Sequence, residues 1–143
     1  MAKRILVPLD RSEHAEAVLP IVADIARSSG GSVRLMTVAR IPEQKFGDYG
    51  RVVAYESQEV ERVTYSRLDY LRDAEAQLEG VPVESVVRFG DPVEEIAHEA
   101  EAFGADLVAV TAPRRGWLGR LFGSVATALR RKTAVPLLVL AEH

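Results

Sequence analysis

Five short apolar runs, each set off from the next by a longer stretch, decide what this chain can become. They are "RILVPL" (Arg4 to Leu9), "SVRLMTVA" (Ser32 to Ala39), "VPVESVVRF" (Val81 to Phe89), the run Leu107 to Val110, and "AVPLLVLA" (Ala134 to Ala141). They are close to continuous rather than alternating. A strand with one wet face alternates, whereas one covered on both faces does not. Between most of them lies a segment of helical period, so strand and helix take turns along the chain. That pattern predicts one α/β domain over residues 1–143, a five-stranded parallel sheet with helices on both faces.

The punctuation fits this reading. Asp10 ends the first strand, and Ser12 offers a cap to the helix that follows. Ala15, Val18, Leu19, Val22, Ala23 and Ala26 recur at helical spacing, with Pro20 inside the pattern, where it should kink the helix or lie near its start. "SSGG" closes the helix, Gly30 or Gly31 being free to turn left-handed. From Arg40 to about Val53 no period is visible, and Pro42, Gly47 and Gly50 predict a long loop, the kind that serves as a lid or contact segment. A charged helix is expected from Glu56 to Leu78, with Val60, Val63, Leu68, Leu71 and Leu78 inward, closed by Gly80. After the third strand Gly90 makes a turn, Asp91 caps, Pro92 starts and Glu94 supports a helix. Ile96, Ala97 and Ala100 form its buried face and Gly104 its end. A last helix is expected from about Ser124, and Pro136 fits only near the start of the last strand.

With 143 residues, 48% of them hydrophobic, the chain can bury a real core. It contains no run of apolar residues long enough for a membrane span and no cleavage-site pattern at its start. With no cysteine, disulfides and thiol chemistry are excluded. A cytoplasmic location is the expectation. The net charge of −3 speaks against a general nucleic-acid binder. It is unevenly spread, however. No acid occurs between Asp106 and Glu142, while Arg114, Arg115, Arg120, Arg130, Arg131 and Lys132 all do. Either a small anion is bound there, or the last three merely complement a helix end.

In a sheet of this kind ligands sit beyond the carboxyl ends of the strands, where strand order reverses. That places Asp10 on the same rim as the loop after the fourth strand. No G-x-x-x-x-G-K-[ST] occurs, and "LDRSEH" has no glycine for a dinucleotide grip. A phosphate would fall at the second of these loops, on Gly123, Ser124 and the free N–H groups of the helix they open. The alternative is an ordinary capped helix start. Asp10 has two readings as well: an acceptor for a base or ribose or a group near a metal, or a strand terminator that helps cap the following helix. His14, His98 and His143 form no catalytic or metal constellation. Trp117 and Phe122 fit a hydrophobic tether better than base stacking. No enzyme reaction is indicated.

Taken in order, "ILVPLDRSEHAEAVLPIVADIA", "VRLMTVA", "RFGDPVEEIAHEA", "ADLVAVTA" and "GSVATALRRKTAVPLLVL" resemble the universal stress proteins over nearly the whole chain. The resemblance implies strand order 3-2-1-4-5. It also implies a homodimer made by pairing the last strand, here Leu137 to Leu140, and, in one branch of the family, an ATP or AMP site, with Mg2+ entering only alongside ATP. Carried over position by position, that site would comprise Pro8, Leu9 and Asp10, Val38, Gly90, and Gly123, Ser124 and Val125.

The binding branch carries Gly, two residues, Gly, nine residues, then Gly and Ser or Thr. Counting back from Gly123 puts the first two glycines at Val110 and Pro113, or at Thr111 and Arg114 if one residue is deleted. Both are missing either way, and Gly116 and Gly119 lie too near Gly123. A Cβ at such positions blocks close approach to a triphosphate. Arg114 or Arg115 could offset this with a bidentate contact to phosphate. The adenosine half of the site is retained and the phosphate half remodelled. Two functions follow as expectations: a regulatory domain binding an adenine nucleotide, or a dimeric stress-response module acting on a protein partner without one.

Overall fold

The computed structural model describes residues 3–11, 15–41, 49–112 and 126–141. Five strands, β1 (Arg4–Pro8), β2 (Ser32–Ala39), β3 (Val83–Phe89), β4 (Leu107–Ala112) and β5 (Leu137–Ala141), form one sheet in the order β3-β2-β1-β4-β5. Every adjacent pair is parallel, with Pro8 opposite Met36, Val38 opposite Arg88, and Thr111 opposite Leu140. The order expected from the family resemblance is the observed one.

A 3-10 turn (Ala15–Val18) leads into α1 (Leu19–Ser29). Pro20 lies in the first turn of α1, where its missing N–H costs nothing, so the helix begins at the proline rather than bending around it. Gly30 takes the left-handed cap at φ 64°. The next helix, α2, spans Tyr49–Glu75 and continues as a 3-10 turn (Ala76–Leu78). The expected loop up to Val53 is therefore too long: helix is already present from Tyr49. Residues 42–48 of that segment lie outside the described residues. α3 (Pro92–Phe103) begins as expected, Asp91 accepting a hydrogen bond from the Glu94 amide at 3.1 Å, and ends at Gly104. Residues 126–132 are helical and precede β5.

Two cores result, one on each face. Ile5, Val7, Leu9, Val33 and Leu35 meet α1 and α2 on the first face. Leu6, Met36, Val108 and Val110 meet α3 and Leu129 on the second. Odd and even positions of each strand thus serve opposite cores, which is why the runs read as continuous. The second face also buries a charge. Glu99, 1% exposed, accepts from Arg34 Nη1 at 2.9 Å and from Arg88 Nε at 3.1 Å. Arg34 also lies over the Phe103 ring, 4.3 Å from its centroid.

Candidate functional site

The connections that leave β1 and β4 depart to opposite faces. The chain from β1 goes to α1 on the first face, while that from β4 leads to residues 126–132 on the second. β1 and β4 are neighbours, so their carboxyl ends flank the one place where strand order reverses. A crevice opens at such a point because no crossover covers it.

Several of the expected residues come together there. Pro8 ends β1, and the Leu9 amide extends the ladder by bonding to Met36 O at 2.8 Å. Carrying the β1–β2 register on by two residues sets Asp10 level with Val38, and carrying the β1–β4 register on by four sets it level with Ala112. Asp10 is exposed, while Val38 is half-buried against the second core. One strand further out, the Gly90 amide bonds to Ala39 O at 2.9 Å, which carries β3 past its end onto the same rim. Gly90 has φ 142°, a backbone conformation that residues with a Cβ rarely adopt, so this turn favours glycine, while the Glu95 carboxylate 2.9 Å from where a Cβ would stand could swing aside. Arg114, Arg115, Gly123, Ser124 and Val125, together with Trp117 and Phe122, lie outside the described residues. The segment that carries them leaves β4 at Ala112, on this rim.

Three further residues at this end escape a reading of the sequence alone. Arg11, next to Asp10, has φ 70°, a left-handed conformation that a residue with a Cβ adopts only under constraint. Arg67 and Tyr70 lie one turn apart on α2, and Tyr70 packs on the first core. Burial pushes the Tyr70 phenol up, reinforced by the Glu16 and Asp10 carboxylates and opposed in part by Arg11. Burial, reinforced by the positive charge of Arg11, pulls Arg67 down. A signal was present: Arg67 and Tyr70 fall on the helical stripe of Val60, Val63, Leu71 and Leu78, where polar residues are out of place. The remaining histidine among the described residues, His98, is exposed on α3. Among the described residues no cluster of acids and histidines could hold a metal ion.

On the first face, the Thr111 hydroxyl donates to Ala15 O at 3.2 Å, which ties β4 to the turn following the Asp10 loop. The rim therefore offers an exposed carboxylate, an apolar wall from Val38 and a tight glycine turn. That set can cradle a planar base and accept from amino or hydroxyl groups, but it supplies no evident base–nucleophile pair.

The model of the Universal stress protein family matches residues 1–141. A solved structure described as the hypothetical protein MJ0577 superposes with a TM-score of 0.83 at 27% identity, covering 100% of this chain and 98% of that one. A universal stress protein in complex with cAMP gives 0.71 at 20% identity, covering 99% and 98%. One from Archaeoglobus fulgidus in complex with dAMP gives 0.60 at 18%, covering 97% of each. No curated protein sequence matches the chain. With a family model spanning all but its last two residues, on the sheet order that the resemblance implied, the chain belongs to the universal stress protein family.

Proposed function

We propose that the protein is a regulatory domain that binds an adenine nucleotide, ATP or AMP, at the carboxyl rim between β1 and β4. The observation that carries this reading is that Asp10 ends β1 beside the point where strand order reverses, level with Val38 on β2, with Gly90 further out on the same rim beyond β3. Solved structures of the same fold described as complexes with cAMP and with dAMP support it. In this reading Pro8, Leu9 and Val38 wall the base, Asp10 accepts from it or from the ribose, and Gly90 leaves room for it. Arg114 or Arg115, with Gly123, Ser124 and Val125, takes the phosphate, and Mg2+ accompanies ATP alone. The domain works by binding, not by turnover, in the cytoplasm, and the bound nucleotide changes a surface that a protein partner reads.

Self-association belongs to the same proposal. β5 pairs with β4 on one side, and its other edge has no strand beside it among the described residues. Leu137, Leu138, Val139 and Leu140 are all only half-buried. An apolar open edge is a template for a second copy, giving a homodimer.

The missing loop glycines favour a second reading, a dimeric interaction module without nucleotide. Mass spectrometry of small molecules released from the freshly purified protein, followed by calorimetric titration, separates the two. The nucleotide reading expects a released adenine nucleotide and heat on titration, both weakened in Asp10→Ala and Ser124→Ala. Silence at millimolar ATP and AMP would leave the second reading.

A further inference from the structure

β3 lies at the edge of the sheet, with β2 on one side and no strand on the other among the described residues. Its backbone is turned in a defined way. Val33 N bonds to Pro82 O and Gly90 N to Ala39 O, both at 2.9 Å, so the even-numbered residues of β3 give their amides and carbonyls to β2. Val83, Ser85, Val87 and Phe89 therefore direct theirs to the open edge. Side chains divide by the same parity. Val83 and Val87 pack on the first core, and Ser85 Oγ donates to Glu75 of α2. Glu84, Val86 and Arg88 face the other way, Val86 onto the second core. There α3 packs chiefly on β2 and β1, and the side chains of Glu84 and Arg88 stay 54% and 44% exposed.

Charges on an open edge commonly keep other strands away. The order of the charges on β3 makes an exception for one neighbour. Along "VESVVRF" the second face carries Glu84, Val86 and Arg88, and reversing the strand about Val86 puts an arginine where the acid stood. An antiparallel copy centred there sets Glu84 opposite the partner's Arg88 twice over, with Val86 opposite its own counterpart. A centre on Glu84 or Arg88 opposes like charges, and a centre on Ser85 or Val87 leaves both charges without a counterpart. The backbone agrees with the Val86 centre. Outward-turned Ser85 falls opposite outward-turned Val87, and Val83 opposite Phe89, as the pairs that exchange hydrogen bonds must. Glu84, Val86 and Arg88 fall at the other pairs, where opposing side chains lie closest.

We propose that the open edge of β3 is a docking surface for a second copy of this chain, paired antiparallel about Val86. The two sheets become one across a two-fold axis. Charges then alternate across the seam: Arg34, Glu84, the partner's Arg88 and the partner's Glu99, the outer contacts being those each chain already makes. A parallel neighbour in register would set each charge beside its like. The proposal rests on neither the nucleotide reading nor the pairing of β5. Where β5 edges pair as well, copies add at both ends and assembly continues past two.

The chain has no cysteine, so one introduced thiol reports on the seam. Two Val86 positions would face each other at about 4.5 Å between Cα atoms, within disulfide reach, whereas two Glu84 positions would stand about 13 Å apart along the strands. With diamide as oxidant, Val86→Cys is therefore expected to form a linked dimer roughly tenfold or more faster than Glu84→Cys, although Glu84 is the more exposed. Sedimentation of the full chain over a concentration series measures the association itself. Glu84→Gln removes both charged pairs and should weaken it roughly fivefold. Val86→Lys opposes like charges on the axis and should abolish association at this edge. Val86 is half-buried, so Glu84→Gln carries the test should Val86→Lys fail to fold. Equal rates for the two thiols, or an original chain that stays monomeric into the millimolar range, would overturn the proposal. So would association unchanged in Glu84→Gln, which would assign it to β5 instead.

Discussion

Arg34 and Arg67 are both partly buried arginines, one on each face of the same sheet, and their surroundings are opposite. Arg34 gives Nη1 to Glu99 and Nε to Glu84 at 2.8 Å, and its plane covers Phe103. Glu99 is held in turn by Arg88. Arg67 has a buried Nε with no partner and a second arginine for company. A charge whose every end is met within the chain fixes one element on another, here α3 on β2 and β3. A charge without an acid fixes nothing, and only its desolvation is felt. The same residue type thus holds elements together on one face and carries a cost on the other.

The largest effect should come from breaking the closed network. Glu99→Ala leaves two guanidinium groups without their buried acid, and urea unfolding should show a loss of about 3 kcal/mol. Replacing the inner pair together, Arg34→Met with Glu99→Leu, should recover most of that loss, because the charges left without a partner, Arg88 and Glu84, are half-exposed and reach water. If the double variant is no better than the single one, the network does more than hold α3.

Next is the rim. Gly90→Ala forces a Cβ into a left-handed turn against Glu95, and should cost about 1–2 kcal/mol in the same unfolding experiment. A neutral result would mean that the turn is looser than its geometry, and the wall of the base site with it.

Arg67→Met sharpens the comparison through its sign. It should leave stability unchanged or raise it by about 1 kcal/mol, since a partly desolvated cation without an acid is removed. A loss as large as that of Glu99→Ala would put Arg67 in the architectural class. The alkaline limb tests the same neighbourhood. The Tyr70 phenol is raised in the folded chain, so the stability it contributes is complete below the ordinary tyrosine value of 10.0 and is lost as pH climbs above it. Tyr70→Phe should flatten that decline in thermal midpoint. The smallest effect is expected from Thr37→Val, neutral or stabilising by roughly 0.5 kcal/mol, because an unmatched hydroxyl leaves the core.

How much of this could be read from the sequence depends on how local the cause is. The strands were legible because both faces of each run are covered, which leaves an unbroken apolar string. The caps at Gly30, Asp91 and Gly104 were legible because their chemistry lies within a few residues. The start of α2 was not: Gly50 lowers helix propensity by about 1 kcal/mol when judged alone, whereas in a long helix each added turn extends a nucleus already formed. Glu99 escaped notice because Arg34, its partner, is 65 residues away in sequence. Arg67 and Tyr70 escaped because their stripe was read for its apolar members only. Of the candidate site, Pro8, Leu9, Asp10, Val38 and Gly90 were named from matching positions, and each lies at or just past the carboxyl end of its strand; their part in binding is a proposal. Residues 114–125 lie outside the described residues.

Whether the carboxyl rim between β1 and β4 receives an adenine nucleotide, as proposed, can be seen in the amide NMR spectrum of the full chain with and without AMP. Saturable shifts are expected to concentrate at Leu9 to Arg11, Val38 to Arg40 and Gly90 to Asp91, all diminished in Asp10→Ala. A spectrum unchanged at millimolar AMP, or shifts confined to β5 and the α3 face, would contradict it.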